Sequence, residues 1–156
     1  IHEGLTSEQI TEARIALECA TIESAVIHAD DEDLVRLNSH IATLEESLDQ
    51  VFPDLEFVSK MLRFHLLIAE ASHNPAFLMF MSAIFEWALS RPLLKTWNPS
   101  RDVRDKAIRC FEDIYHAIEA RDISLAQTLM RDYIAYIGIE IQARNPKFAS
   151  SLHQHN

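Results

Sequence analysis

Glycine is scarce in this sequence, and its scarcity excludes several kinds of protein. Only two glycines, Gly4 and Gly138, occur among the 156 residues. Strand-and-turn architectures need glycine at tight turns, and loops that bind phosphate groups are glycine-rich. We therefore expect a helical protein without a nucleotide-binding loop. The sequence also has no GxSxG, HExxH or GxGxxG pattern, so we expect no enzyme.

Cysteine is equally rare. Cys19 and Cys110 form no CxxC pair, have no metal-ligand spacing and have no obvious base beside them. With no signal peptide in view, these features predict buried, unreactive thiols in a reducing cytoplasm. No apolar run approaches the roughly 20 residues of a membrane-spanning helix, so we expect no membrane partner.

Basic residues are outnumbered by acidic ones. The sequence has 14 lysines and arginines but 24 aspartates and glutamates, and its formal net charge is −10. Because the acids are spread along the chain, its surface should repel phosphate backbones, and we expect no direct binding to nucleic acid. The length and the 48% of hydrophobic residues suit one globular domain.

Apolar residues at spacings of three and four, together with capping residues, predict six helices. Thr6 and Gln9 have the form of a capping box, and Asn74-Pro75 and Ser100 can each begin a helix. Arg91 to Pro99 is predicted to be irregular, and residues 145–156 to form a tail. The first helix is predicted to run to about His28, the third to open at Pro53 and end near Ser72, and the fourth to run from about Pro75 to Leu89. The second helix carries apolar residues from Leu34 to Leu48, the fifth from Val103 to Ile118, and the sixth from Ala126 to Ile137.

The fourth predicted helix is apolar nearly all round. Phe77, Phe80, Met81, Phe85 and Trp87 leave it without a polar face. Such a helix is buried on more than one side, either within the domain or between subunits.

Two polar residues interrupt apolar surfaces and are candidates for a binding site. His65 lies inside the run RFHLLIAEASHNPAF, where it is either a hydrogen-bonded core histidine or a ligand-binding group. Arg14 interrupts an apolar face in TEARIALECA. Its guanidinium either extends to solvent or points inward, which is costly unless an anion pairs with it. Arg63 is expected at the surface.

Three stretches together resemble one family. LTSEQITEARIALE, RFHLLIAEASHNPAF and AIEARDISLAQTLMRDYI resemble the FCD domain, the effector-binding C-terminal domain of GntR-type transcription regulators of the FadR subfamily. The resemblance implies an antiparallel bundle of six to seven helices, residues 1–144, that encloses a small-molecule cavity and forms a homodimer. It also implies an N-terminal winged helix-turn-helix domain, which is expected but absent from this chain.

The resemblance further implies a metal site that this sequence has largely lost. Most such domains hold a divalent metal with an Asp-x-x-Phe-His pair on one helix and one histidine on each of the last two core helices. The residues at these four positions are Met61, His65, Phe111 and Tyr133. One imidazole does not hold a metal, and the neighbours Cys110 and Asp132 point about 100° away. We expect no metal and no cofactor.

The resemblance implies that the chain senses a small-molecule effector, with a carboxylate expected, and acts on DNA only through the domain outside the chain. The candidate effector-binding residues are Arg14, Met61, His65, Phe111 and Tyr133. His65 is expected either to contact the effector or to bond Tyr133. A dimerisation module whose cavity is closed by its own side chains is the alternative. An enzyme on a helical bundle has the least support.

Overall fold

The computed structural model describes residues 6–51 and 56–143, and within them the chain forms seven α-helices and no strand. The helices are α1 Ser7–His28, α2 Asp31–Glu46, α3 Glu56–Ala71, α4 Pro75–Ser90, α5 Pro92–Lys95, α6 Arg101–Glu119 and α7 Ile123–Ala143. The predicted all-α fold is confirmed. In this part of the chain, no helix is both long enough and apolar enough to cross a bilayer.

Five of the helices pack around one core. α1 lies against α7 and α3, α2 lies against α3 and α6, and α6 packs on α7. A smaller cluster of Ala69, Met81 and Phe85 joins α3 to α4. Consecutive helices that contact each other across short turns run in opposite directions, so the predicted bundle is confirmed.

Local capping explains where most helices begin. Oγ1 of Thr6 accepts the N–H of Gln9 at 3.2 Å, and the Gln9 side chain accepts the N–H of Thr6 at 3.0 Å. Asn74 caps α4 ahead of Pro75, and Ser100 caps α6. These predicted starts are confirmed. The predicted start of the third helix at Pro53 and the predicted tail lie outside the described residues.

One segment differs from the prediction. The segment predicted to be irregular contains the one-turn helix α5, because Pro92 at its first position has a φ angle already suited to a helix. The last helix, for which no end was predicted, runs to Ala143. No glycine or proline stands between Gly138 and Pro146, and Ile141 still packs against the core.

Helix α4 lies at the edge of the bundle. Within the described chain only Met81 and Phe85 of this helix are buried, while Met79 is 60% and Phe80 is 52% exposed. Of the two predicted alternatives for α4, burial on several sides within the domain is excluded, and burial between subunits stays a prediction. Its main neighbours are α3, α5 and part of α1, and these cover only one face.

A buried carboxylate ties two turns of the bundle together. Asp33 is 2% exposed and accepts hydrogen bonds from the N–H of Asp30, from Arg36 and from Nε2 of His73. Burial by itself would raise the pKa of Asp33, but the bonds from Arg36, Asp30 and His73 outweigh it and lower the pKa. Asp33 therefore holds the start of α2 against the turn between α3 and α4.

Asp33→Asn is expected to lower the free energy of unfolding by about 2 kcal/mol, because the amide removes the charge and places a donor among donors. Urea unfolding followed by circular dichroism measures this loss. Asp31→Asn, on the exposed first turn of the same helix, is the control and should change stability by less than about 0.5 kcal/mol. Equal effects of the two substitutions would contradict the role of Asp33.

Candidate functional site

His65 is a buried residue with one polar partner. It is 1% exposed, and its Nδ1 donates a hydrogen bond to the carboxylate of Glu18. Its ring centroid lies 5.7 Å from that of Phe85, 5.6 Å from that of Phe111 and 5.2 Å from that of Tyr133. Its hydrogen bond therefore goes to Glu18, whereas its contact with Tyr133 is between rings. Within residues 6–51 and 56–143, Nε2 of His65 has no hydrogen-bond partner.

Arg14 points inward and pairs with an anion from the chain itself. Its Nε lies 2.6 Å from Oε1 of Glu18, one helical turn further along α1. The Arg14 side chain is 15% exposed, and its guanidinium carbon lies 5.3 Å from the centre of the Phe85 ring. Of the two predicted positions for Arg14, the inward one is correct.

Glu18 is held as a carboxylate between two donors. Burial by itself would raise its pKa, but the charges of Arg14 and His65 and the hydrogen bonds from both residues outweigh this effect. Together they lower the pKa of Glu18 from 4.5 to about 2. A negative charge is therefore already present where Arg14 and His65 converge.

Glu18 is a residue of the site that was not predicted from the sequence. The available signal was its spacing of four from Arg14 within EARIALE, which places both side chains on the same helix face. An acidic residue in an otherwise apolar stretch of α1 needs a partner as much as Arg14 does. Its second partner, His65, lies 47 residues away and could not be inferred from local spacing.

A pocket of about 440 Å³ lies beside this cluster and is partly open to solvent. Three predicted site residues, Arg14, Met61 and Tyr133, line it. His65 and Phe111 lie behind its wall, where their rings contact that of Tyr133. The bundle was predicted to enclose its cavity, whereas this pocket is an open one. Its other aromatic residues are Phe85, Trp87 and Trp97, and its other polar residues are Thr11, Arg91 and Gln142.

The residues around His65 do not fit a metal site. The four positions that match the ligands of the resemblance offer one imidazole, and Glu18 adds one carboxylate that Arg14 already binds. A bound transition metal generally needs three or more protein ligands. Asp132 is exposed and cannot join them. Elsewhere in the described chain, Asp30, Asp33 and His73 lie close together. The Asp33 carboxylate there already binds the guanidinium of Arg36.

The two cysteines are free, Cys19 buried and Cys110 half-buried. Burial is the largest influence on both thiols, and it raises their pKa values. Neither thiol is therefore activated as a nucleophile. Arg63, predicted at the surface, is nearly half exposed and binds Glu70.

The family model of the FCD domain matches residues 9–136. No curated protein sequence matches the chain significantly.

Two solved structures have a similar fold. That of E. coli McbR/YncC has a TM-score of 0.72 at 21% identity, over 86% of this chain and 67% of that one. The second is of Lar, which controls the expression of the Listeria monocytogenes agr system and mediates virulence. Its TM-score is 0.71 at 17% identity, over 90% of this chain and 66% of that one. This chain therefore spans about two thirds of the length of either structure.

Glu18→Gln keeps the shape of the side chain but removes its charge. We expect the variant to be about 3 kcal/mol less stable at pH 7, because Arg14 and His65 lose their carboxylate. The folded-state pKa of Glu18 lies below its ordinary value, so its stabilisation is present above about pH 4.5 and is lost as the pH falls towards about 2. Urea unfolding at a series of pH values measures both effects.

The matched control is Glu12→Gln, which removes the same charge from an exposed position of α1. Over the acidic range, the wild type and Glu12→Gln should each lose about 3 kcal/mol more than Glu18→Gln. If the free energy of unfolding fell with pH by the same amount in all three proteins, Glu18 would not be a carboxylate with a lowered pKa.

Proposed function

Because the chain belongs to the FCD domain family, we propose that it is the effector-sensing regulatory domain of a bacterial GntR-type transcription regulator of the FadR subfamily. The family match spans most of the chain, and the helical bundle agrees with it. The proposed setting is the cytoplasm, where such a regulator meets both its effector and DNA. The proposal includes no catalytic step.

The pocket beside Arg14 is the observation that carries this proposal. Its volume of about 440 Å³ lies within the range of small-molecule sites, and a few polar groups among apolar walls are typical of them. We propose that Arg14, Met61 and Tyr133 contact the effector and that His65 and Phe111 support the wall behind Tyr133. An organic acid and a more apolar metabolite are the two effector classes that this site could accept.

We propose that a winged helix-turn-helix domain outside this chain contacts the DNA. The formal charge of −10 supports this division of labour, because an acidic surface is repelled by phosphates. Thr11 and Arg14 place the first half of α1 in the pocket wall. An effector with different affinities for two arrangements of α1 would thereby change the placement of the attached domain.

The exposed face of α4 supports a homodimer. Met79 and Phe80 are more than half exposed, and Ala76 and Ala83 lie at helical spacings from them. An uncharged apolar strip on an acidic protein is suited to covering by another copy of itself. We propose that α4 contributes to the dimer interface.

One observation favours the alternative of a dimerisation module without an effector. The rings of Phe64 and Phe111 stack at 4.1 Å and help to fill the interior beside His65. Under this alternative, the neighbouring pocket has no ligand. The measurement of bound mass described next separates the two functions.

Native mass spectrometry of the chain, purified without a nickel column, is expected to give a dimer that carries an organic mass and no metal. The apolar pocket should retain such a molecule during gentle purification. A dimer that never carries a small molecule, even after a ligand screen by thermal shift, would favour the dimerisation module. A metal-sized increment on each chain would contradict the proposed loss of the metal site.

Phe80→Glu is expected to weaken dimerisation by at least about tenfold, because it places a charge within an apolar interface. Sedimentation velocity over a concentration series measures the change. Val35→Glu, at a 64% exposed apolar position on α2, makes the same chemical change and should leave the dimer intact. Unchanged dimerisation in Phe80→Glu would remove this part of α4 from the interface.

A further inference from the structure

The pocket has two cationic residues on its wall, and the inner one is already neutralised. Nε of Arg14 lies 2.6 Å from the carboxylate of Glu18, which is 2% exposed and is also bound by His65. A ligand anion that approached Arg14 would therefore meet a buried negative charge beside its target. Two like charges this close repel, and the repulsion grows where a bound ligand displaces water from the pocket.

The second cationic residue is a weaker anchor for an anion. Arg91 is exposed, and its guanidinium lies over the ring of Trp87, 5.2 Å from the centroid. Water screens the attraction of an exposed guanidinium, so such a charge contributes little to the binding of an anion. The chain's overall charge of −10 acts against anions at longer range.

The pocket walls present aromatic rings at several points. Phe85 lines it beside Arg14 and Trp87 lines it beside Arg91, and Tyr133 and Trp97 also form part of the wall. Most of the remaining lining residues are aliphatic, from α1, α3, α5 and α7. Aromatic faces stack with planar apolar rings and attract no anion.

From these observations we infer that the pocket takes an uncharged ligand with an apolar, ring-bearing body, and that Glu18 excludes acids by neutralising Arg14. The inference rests on the proposed function and selects between its two effector classes. Glu18 would then act as a specificity-determining residue that does not itself line the pocket.

Two fluorescent probes that differ in one charge test this inference. N-phenyl-1-naphthylamine is uncharged, and 8-anilino-1-naphthalenesulfonate has the same ring system with an added sulfonate. Trp87 and Trp97 are the only tryptophans in the chain, and both line the pocket. Energy transfer from tryptophan to either probe therefore reports binding to the chain, and its loss in a variant of the pocket wall assigns the binding to the pocket. Ala88→Phe adds a ring at a lining position and so takes up space in the pocket. It should weaken the binding of both probes.

The wild-type chain is expected to bind the uncharged probe at least about tenfold more tightly than the sulfonate, because the sulfonate meets the Glu18 carboxylate beside Arg14. Glu18→Gln should improve sulfonate binding by about tenfold and change binding of the uncharged probe by less than about twofold. Glu12→Gln, with the same change in net charge, should alter neither affinity. Thermal melts confirm that each variant is folded.

Arg14→Met provides a second test that leaves Glu18 bound to His65. Because this substitution leaves the Glu18 carboxylate without its guanidinium, it should not improve sulfonate binding. The double variant Arg14→Met with Glu18→Gln should lose the gain seen in Glu18→Gln alone. A gain of sulfonate binding in Arg14→Met, or a gain that persists in the double variant, would overturn the inference.

The outcomes separate the inference from the function on which it rests. If the sulfonate binds as tightly as the uncharged probe and Ala88→Phe weakens both, the inference is overturned while the ligand-binding function stands. If neither probe receives energy from tryptophan, both fail. A folded Glu18→Gln variant with unchanged sulfonate affinity would also overturn the role of Glu18.

Discussion

A buried carboxylate shared by two donors is the interaction on which the rest of the site depends. Glu18 is almost inaccessible to water, and such a charge is tolerated only because Arg14 and His65 both bind it. The pair Arg14–Glu18 lies within α1, whereas the bond to His65 joins α1 to α3. This single cluster therefore fixes the relative position of two helices and the electrostatic character of the pocket beside them.

The aromatic residues around His65 complete this arrangement. Phe85, Phe111 and Tyr133 come from α4, α6 and α7, and their rings all lie within 6 Å of the imidazole. These side chains have no group that binds a metal well. They pack around His65 at the position where the resembling domains hold their metal. Tyr133 and Phe85 also form part of the pocket wall, so the same rings serve the core and the site.

Helix α4 connects the site to the exposed surface. Phe85 and Trp87 line the pocket, and Met79 and Phe80, nearer the start of the helix, are exposed to solvent. Under the proposed function, a ligand that shifts α4 would also shift the surface proposed for dimerisation. Such coupling requires only that the ligand bind the two positions of the helix with different affinities.

The sequence by itself determined the helices, because a capping box or an apolar repeat depends on residues three or four positions apart. It also identified Arg14 and His65 as polar residues in apolar surroundings. Only the tertiary structure decided that Glu18 joins them, since its bond to His65 spans 47 residues. It likewise decided that one face of α4 stays exposed. Burial depends on which helices become neighbours, and the local spacing of residues does not determine that.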